Sequence, residues 1–297
     1  MLTRKDIPRL LTSGLKTIFF NQYNAYTPVY KTITTEVPST KSSEEYGWLG
    51  ATPALREWLD ERAAKGLREN GFTLKNKDYE ATIAVDKNAF NDDQYGQIKV
   101  RVQQVAVAAA RGYDKFLAKT IEANPICYDG QNFFDTDHPM DLEAGTTGTN
   151  VFTSKALTVA NAKDLMVAMG QFTDENGDVY GSRASHIIVP TGLEFTAKAI
   201  FDPAFVGVST DPSAAVLSGT AKVVVLPTLS SQTTYYIVDM TQGVSPFIFQ
   251  NRQEMQFAAL DNIDDIDVFM RKTLYYGVDA RFAFGVGEWR LAIKASA

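Results

Sequence analysis

The chain has 297 residues, 45% hydrophobic and 11% aromatic, enough to fill the core of one large domain or two smaller ones, which excludes a disordered chain. A net charge of −6 argues against a dedicated nucleic-acid binder, and a single cysteine, Cys127, excludes intrachain disulfides and thiolate metal clusters. The longest apolar run, Val105 to Ala110, is far short of the roughly 18 residues of a membrane span, and Met1-Leu-Thr-Arg-Lys-Asp-Ile-Pro lacks the apolar stretch of a secretory leader, so the chain is expected to stay in the cytosol where it is made.

In chain order, Arg4 to about Tyr23 reads as an amphipathic helix, with Leu11, Leu15, Ile18 and Phe19 at helical spacing and Asp6 and Pro8 near its start. Thr27 to Tyr46 is rich in Thr, Ser and Pro and suits an extended arm that lies on something else. Thr52-Pro53 is an N-cap with proline in the first turn of a second helix, which closes near Asn70-Gly71. Tyr79, Ala81, Ile83 and Val85 alternate with Glu80, Thr82 and Ala84 and predict a strand with one wetter face.

The strongest local signal is a long helix over Asp92 to Asn124. Ile98, Val102, Val105, Ala109, Tyr113, Phe116, Leu117 and Ile121 form its stripe, and Asn124-Pro125 ends it. Such a helix is long for a globular protein and predicts a spine against which a sheet packs. Pro125 to about Thr153 is loop-like. Beyond it come a helix over Val159 to Phe172, a turn at Asn176-Gly177, a strand over Ser185 to Val189 and a helix over Leu193 to Phe201. Strands are expected at Val223 to Leu226 and Tyr235 to Asp239. In the tail they are expected at Asp267 to Arg271, Thr273 to Val278 and Trp289 to Lys294. The fold class is α+β, with no internal repeat.

Chemistry-bearing motifs are sparse. Asp135-Thr-Asp137-His138-Pro places two carboxylates and an imidazole within four residues, the donor set of a metal-assisted hydrolase, but acidic residues before a proline are also ordinary turn chemistry. Asp174-Glu-Asn-Gly-Asp-Val-Tyr-Gly fails as a calcium loop: Gly177 stands at the fourth loop position instead of the sixth, and Ser185 replaces the bidentate Glu. Asp261, Asp264, Asp265 and Asp267 form an acidic run that reads as a solvated edge. Gly285-Val-Gly287-Glu-Trp-Arg lacks the third glycine of a dinucleotide fingerprint, and nucleophile elbows and Walker loops are missing. The reading is therefore a protein that is not an enzyme, with no catalytic residue, no metal and no cofactor.

Trp48-Leu-Gly-Ala-Thr-Pro-Ala-Leu-Arg-Glu-Trp58, Phe133-Phe-Asp-Thr-Asp-His-Pro139 and Tyr275-Tyr-Gly-Val-Asp-Ala-Arg-Phe282, taken as a set, resemble the Mu-like prophage major head subunit family, gpT. The resemblance covers nearly the whole chain. It implies a Hong-Kong-97-type capsid fold with an N-terminal arm over 1–46, an extended loop over 47–91 and the spine helix of a peripheral domain over 92–124. An axial domain over 125–250 and C-terminal strands over 251–297 returning to the peripheral domain complete the mapping. The implied function is a major capsid subunit that self-assembles, as hexamers and pentamers, into the icosahedral shell around phage double-stranded DNA. Scaffold, portal and decoration proteins are the implied partners. DNA would be enclosed without sequence-specific contact, no membrane is involved, and the protein would reside in the virion after assembly in the bacterial host cytoplasm. Some shells of this fold are cross-linked from a lysine on the extended loop. Lys75 and Lys77 lie in that region, where solvated lysines beside a turn are the simpler expectation. A tail or connector component is the alternative that composition does not separate from a head protein.

Overall fold

The computed structural model describes residues 6–47, 72–88, 95–141, 145–174, 177–206, 216–262 and 265–297. The N-terminal helix, α1 (Asp6–Ala25), lies against the spine helix, α2 (Tyr95–Ala123). The 29 residues of α2 reach about 43 Å at 1.5 Å per residue. One face of α2 is apolar, and Ile98, Val102, Ala106, Tyr113, Leu117 and Ile121 on it are buried. The helix stops at Asn124, whose left-handed φ of 49° turns the chain into Pro125. The Asn124 side chain ties down the segment that follows, accepting from the Phe134 N–H at 2.8 Å and donating to the Phe134 carbonyl at 3.0 Å.

Two sheets meet this spine. The first contains β1 (Thr35–Pro38), β4 (Lys77–Asp86), β11 (Phe247–Leu260) and β12 (Thr273–Val286), in the order β1-β11-β12-β4. β1 runs parallel to β11, and the other pairs are antiparallel. Along β11 the first four residues are buried on both faces and the rest alternate, so one end of the sheet is covered and the other has a wet face. The second sheet holds β7 (Val151–Phe152), β8 (His186–Val189), β9 (Lys222–Val225), β10 (Thr234–Val238) and β13 (Ala292–Ser296), ordered β7-β13-β10-β8-β9. Helix α3 (Val159–Gly170) packs on β13 and α4 (Glu194–Phe201) on β8 and β9. Two small ladders complete the strands, β2 (Ser43–Glu45) with β3 (Thr73–Lys75) and β5 (His138–Asp141) with β6 (Thr146–Gly148).

The spine helix belongs to two cores. Its first half, through Ile98, Val102 and Ala106, packs with Leu15 and Phe19 of α1 and with Leu274, Tyr276 and Val278 of β12. Its second half, through Tyr113, Leu117, Ala118 and Ile121, joins the larger core that includes Phe133, Phe247, Trp289 and the five-stranded sheet. Aromatic packing marks the crossover: Tyr113 stacks on Phe282 at 4.6 Å and on Tyr30 of the arm at 5.3 Å.

Several expectations need correction. Asp267–Arg271 is not a strand: Ile266–Arg271 forms a short helix, α6, at the tip of the β11–β12 hairpin. Ile266, Phe269 and Met270 follow the i, i+3, i+4 spacing of a helix face, and Lys272 closes the helix with φ 51°. Trp289–Leu291 is a 3₁₀ turn, and the last strand begins only at Ala292. The stretch read as a loop after Pro125 contains β5, β6 and β7, and the tail strands are far longer than Thr273 to Val278 suggests. The tail also does not return to one sheet: β11 and β12 lie in the four-stranded sheet, whereas β13 pairs with β10 and β7 in the other. A border drawn at 250/251 falls inside β11, and β4, within 47–91, is an integral strand paired with β12 over ten residues. The helix expected from Thr52 to Asn70 lies outside the described residues.

Candidate assembly surfaces

The described part of the arm lies on its own chain, which is the surface the extended segment was expected to need. Tyr30, Ile33 and Tyr46 are buried within their own chain. The anchor is Asp114, a buried carboxylate on α2. Its Oδ1 accepts from the Tyr30 N–H at 2.8 Å, and its Oδ2 accepts from the Tyr26 hydroxyl at 2.7 Å and the Val29 N–H at 3.2 Å. Three donors satisfy a charge that burial would otherwise penalise. Burial, together with the hydrogen bond to this carboxylate, pushes the Tyr26 phenol up to about 12.

Further along, β1 adds to the edge of β11, and a second polar node fixes the β2–β3 ladder. The Tyr46 hydroxyl donates to Gln250 Oε1 at 2.7 Å, and Gln250 Nε2 donates to Asn76 Oδ1 at 2.7 Å. Asn76 Nδ2 in turn donates to the Ser39 hydroxyl and the Lys41 carbonyl. Glu44 accepts from the Thr40 and Lys41 N–H groups and the Ser39 hydroxyl, which holds its carboxyl below the usual range. Residues 46 and 72, which flank a segment outside the described residues, are therefore fastened to each other.

Of the residues singled out for chemistry, His138 is fully buried and Asp135 and Asp137 do not share its surroundings. His138 Nδ1 lies 2.6 Å from Asp129 Oδ2, and Nε2 lies 3.2 Å from the Phe133 carbonyl. The ring stacks on Trp289 at 4.1 Å. Both ring nitrogens face protein oxygens inside the core, so neither is open to a metal or a substrate. The Asp135 N–H donates to Asn150 Oδ1 and its carboxylate accepts from the Thr136 N–H, while Asp137 is exposed. Among the described residues no three His, Cys, Asp or Glu side chains gather as metal ligands would.

The His138 pair borders a second buried pair that no sequence motif marks. Arg290 Nη1 lies 3.0 Å from Glu288 Oε1 and donates to the Tyr128 hydroxyl at 2.8 Å; its Nε donates to the Thr173 carbonyl at 2.8 Å. These groups rivet the 127–141 segment to the tail across Trp289. Only the charged residues flanking Trp289 hinted at them. The turn at Asp174 is closed by Asp178, whose N–H donates to Asp174 Oδ1 at 3.0 Å. Asn176 lies outside the described residues. In the acidic run, Asp265 Oδ2 accepts the Asn262 N–H at 2.9 Å; Asp264 and the Asp267 side chain lie outside the described residues.

Two exposed apolar surfaces stand out. At the hairpin tip, Leu260, Ile266, Phe269 and Met270 are 51%, 79%, 78% and 73% exposed, while Val268 on the opposite side of α6 is buried. On the other lobe, Phe195 of α4 and Phe205 of a following single turn, α5 (Pro203–Val206), are also exposed. Large apolar groups clustered at an extremity mark contact surfaces. Lys75 and Lys77 are exposed beside α2. No described helix is long and apolar enough to cross a membrane.

Comparison with known proteins bears on what these surfaces meet. The sequence model of the family described as Mu-like prophage major head subunit gpT matches residues 9–156, 150–229 and 228–297. The chain is 27% identical over 295 residues to the major capsid protein of Escherichia phage Mu, covering 99% of this chain and 74% of that protein. It is 26% identical over 265 residues to the Mu-like prophage FluMu major head subunit of Haemophilus influenzae, covering 89% of this chain and 64% of that one. Among solved structures, the procapsid of bacteriophage JBD30 matches with a TM-score of 0.58 and 26% identity over 100% of this chain and 76% of the other. A virus-like particle from Pyrococcus furiosus shares the fold, with a TM-score of 0.54, 11% identity and coverage of 95% and 98%. The architecture is the Hong-Kong-97-type capsid fold.

Proposed function

The chain belongs to the Mu-like prophage major head subunit gpT family, and from that premise we propose that copies of it close into an icosahedral shell around double-stranded phage DNA. As a phage major capsid subunit it works through surfaces instead of a reaction. Hexamers and pentamers are the building units in this reading. Scaffold, portal and decoration proteins are further partners, and assembly takes place in the host cytoplasm. α2 with the four-stranded sheet is assigned to a peripheral domain and the five-stranded sheet with α3 and α4 to an axial domain. The segment between residues 47 and 72 is assigned as a strap between subunits, whereas the arm is fastened to its own chain.

The observation that carries this reading is the hairpin tip. A six-residue helix held by one buried residue, Val268, presents three large apolar side chains to solvent at the end of a 14-residue ribbon. A monomer gains nothing from that arrangement, whereas closed shells reuse one such surface by symmetry. The purified full-length chain is expected to form shells, tubes or capsomer-sized rings in electron micrographs. Replacing Phe269 and Met270 with Asp is expected to leave the melting temperature within a few degrees of wild type and to abolish those particles. A wild-type protein that stays monomeric across concentration and salt overturns the proposal.

A further inference from the structure

The net charge of −6 is not spread evenly: the solvent side of the spine helix is basic. From Tyr95 to Tyr113 this helix contains Lys99, Arg101 and Arg111 and no carboxylate, and Lys115 and Lys119 follow. Asp114 is buried and committed to the arm, and Glu122 is engaged by the Ser230 N–H and hydroxyl. Arg101, Arg111, Lys115 and Lys119 are exposed, and at 100° per residue they fall within a sector of about 80°. The stripe they mark is about 27 Å long. Arg111, Lys115 and Lys119 follow one another by single turns, a spacing at which like charges repel and mildly destabilise a helix.

The stripe runs into a cleft between the second half of α2 and β3–β4. This cleft, of about 520 Å³, is walled by Phe72, Tyr79 and Phe116 and rimmed by Lys75, Lys77 and Lys119, with no carboxylate lining it. In the neighbouring groove the one acidic residue is Glu80, which accepts from the Thr82 hydroxyl. Among the described residues, none of these six cations forms an ion pair. Arg111 and Lys119 are instead held over the rings of Tyr26 and Phe116, at 5.8 Å each.

We propose that this stripe and cleft form a track for the phosphate backbone of the packaged nucleic acid, which makes the outer face of α2 the face turned to the shell lumen. Six cations without an ion pair among the described residues, four on one helix and two across the cleft, match a duplex, which offers about one negative charge per 1.7 Å of axis and whose condensed counterions are released on contact. Contacts of this kind position DNA and read no sequence. An acidic protein segment is the competing occupant. The inference rests on the head-subunit reading for the presence of DNA.

The test is fluorescence-anisotropy binding of a random-sequence 30-base-pair duplex to the full-length chain below its assembly concentration, from 50 to 200 mM salt. It compares wild type with R111Q/K115Q/K119Q. The triple variant is expected to melt with wild type and to lower the salt slope by about 2.7, so that the affinity lost across that range becomes about 40-fold smaller. A triple variant that binds with wild-type affinity and slope overturns the proposal. So does a wild type that ignores the duplex at 50 mM salt, or that ignores it but binds polyglutamate with the same slope. Micrographs of the same protein above its assembly concentration separate the two readings. Shells without duplex binding sink the track alone, and duplex binding without shells sinks the head-subunit reading.

Discussion

Asp114 shows how much one side chain can hold. Two backbone N–H groups and a phenol converge on its carboxylate, and all three belong to the turn that carries the arm off α1. Asp114→Ala would strand these donors in a buried site at a cost of about 3 kcal/mol. It should be seen as a lower urea midpoint and as faster hydrogen exchange at Val29 and Tyr30 than in the rest of the arm. Cys127 gives a pH-dependent check. Burial, then the nearby Asp129 and Glu288 charges, push its thiol well above the ordinary value of 9.0. Because the folded state holds this proton more tightly than the unfolded state, its contribution to stability is complete below pH 9.0 and is lost as pH rises beyond it. Thiol labelling at pH 8 should therefore be negligible until the protein is denatured, and rapid labelling of the native chain would contradict the burial.

At the scale of elements, the spine helix is where two cores depend on one segment. Leu117→Ala removes a fully buried side chain from the larger core and should cost about 2 to 5 kcal/mol, measured by chemical denaturation. The spine was legible because its stripe persists over eight turns and its end is marked by Asn124-Pro125. β4 was legible because one of its faces is wet. β11 was not, since its middle reads Gln250-Asn-Arg-Gln-Glu254: the polar residues there are tied into the Tyr46–Asn76 node or face solvent, and they break the alternation a strand shows in isolation. The tip helix α6 was misread because six residues are too few to separate a period of 2 from 3.6, although Ile266, Phe269 and Met270 do carry the helical spacing. Of the residues that fix the arm, Asp114 had no sequence signal at all, because a lone acid on an amphipathic helix ordinarily points to water.

For the whole molecule, function follows from how unlike surfaces share one body: an apolar tip, a basic stripe and a net negative remainder. Copies carrying −6 each repel at long range, and salt shortens that range to about 8 Å at physiological strength. Assembly followed by light scattering should therefore start at lower protein concentration in 300 mM than in 30 mM salt. If added salt dissolves particles, ion pairs and not apolar tips hold the subunits together. The fold class and the family were legible from motifs spread along the chain. The distribution of charge was not, because it depends on which side of α2 is buried.

The pairing of β1 with β11 also sets a clock. Thr35 lies opposite Ile248, so the parallel edge of the four-stranded sheet closes only when both ends of the chain exist. At about 5 to 20 residues per second of synthesis, β1 emerges on the order of 10 to 40 s before its partner. During that interval Tyr30 and Ile33 have only α2 to rest on and lack the part of their burial that Phe249 and Phe284 provide. A nascent chain must either be shielded by a chaperone or find the equivalent edge on another nascent copy, and the latter would trap swapped, dead-end oligomers before any shell is begun.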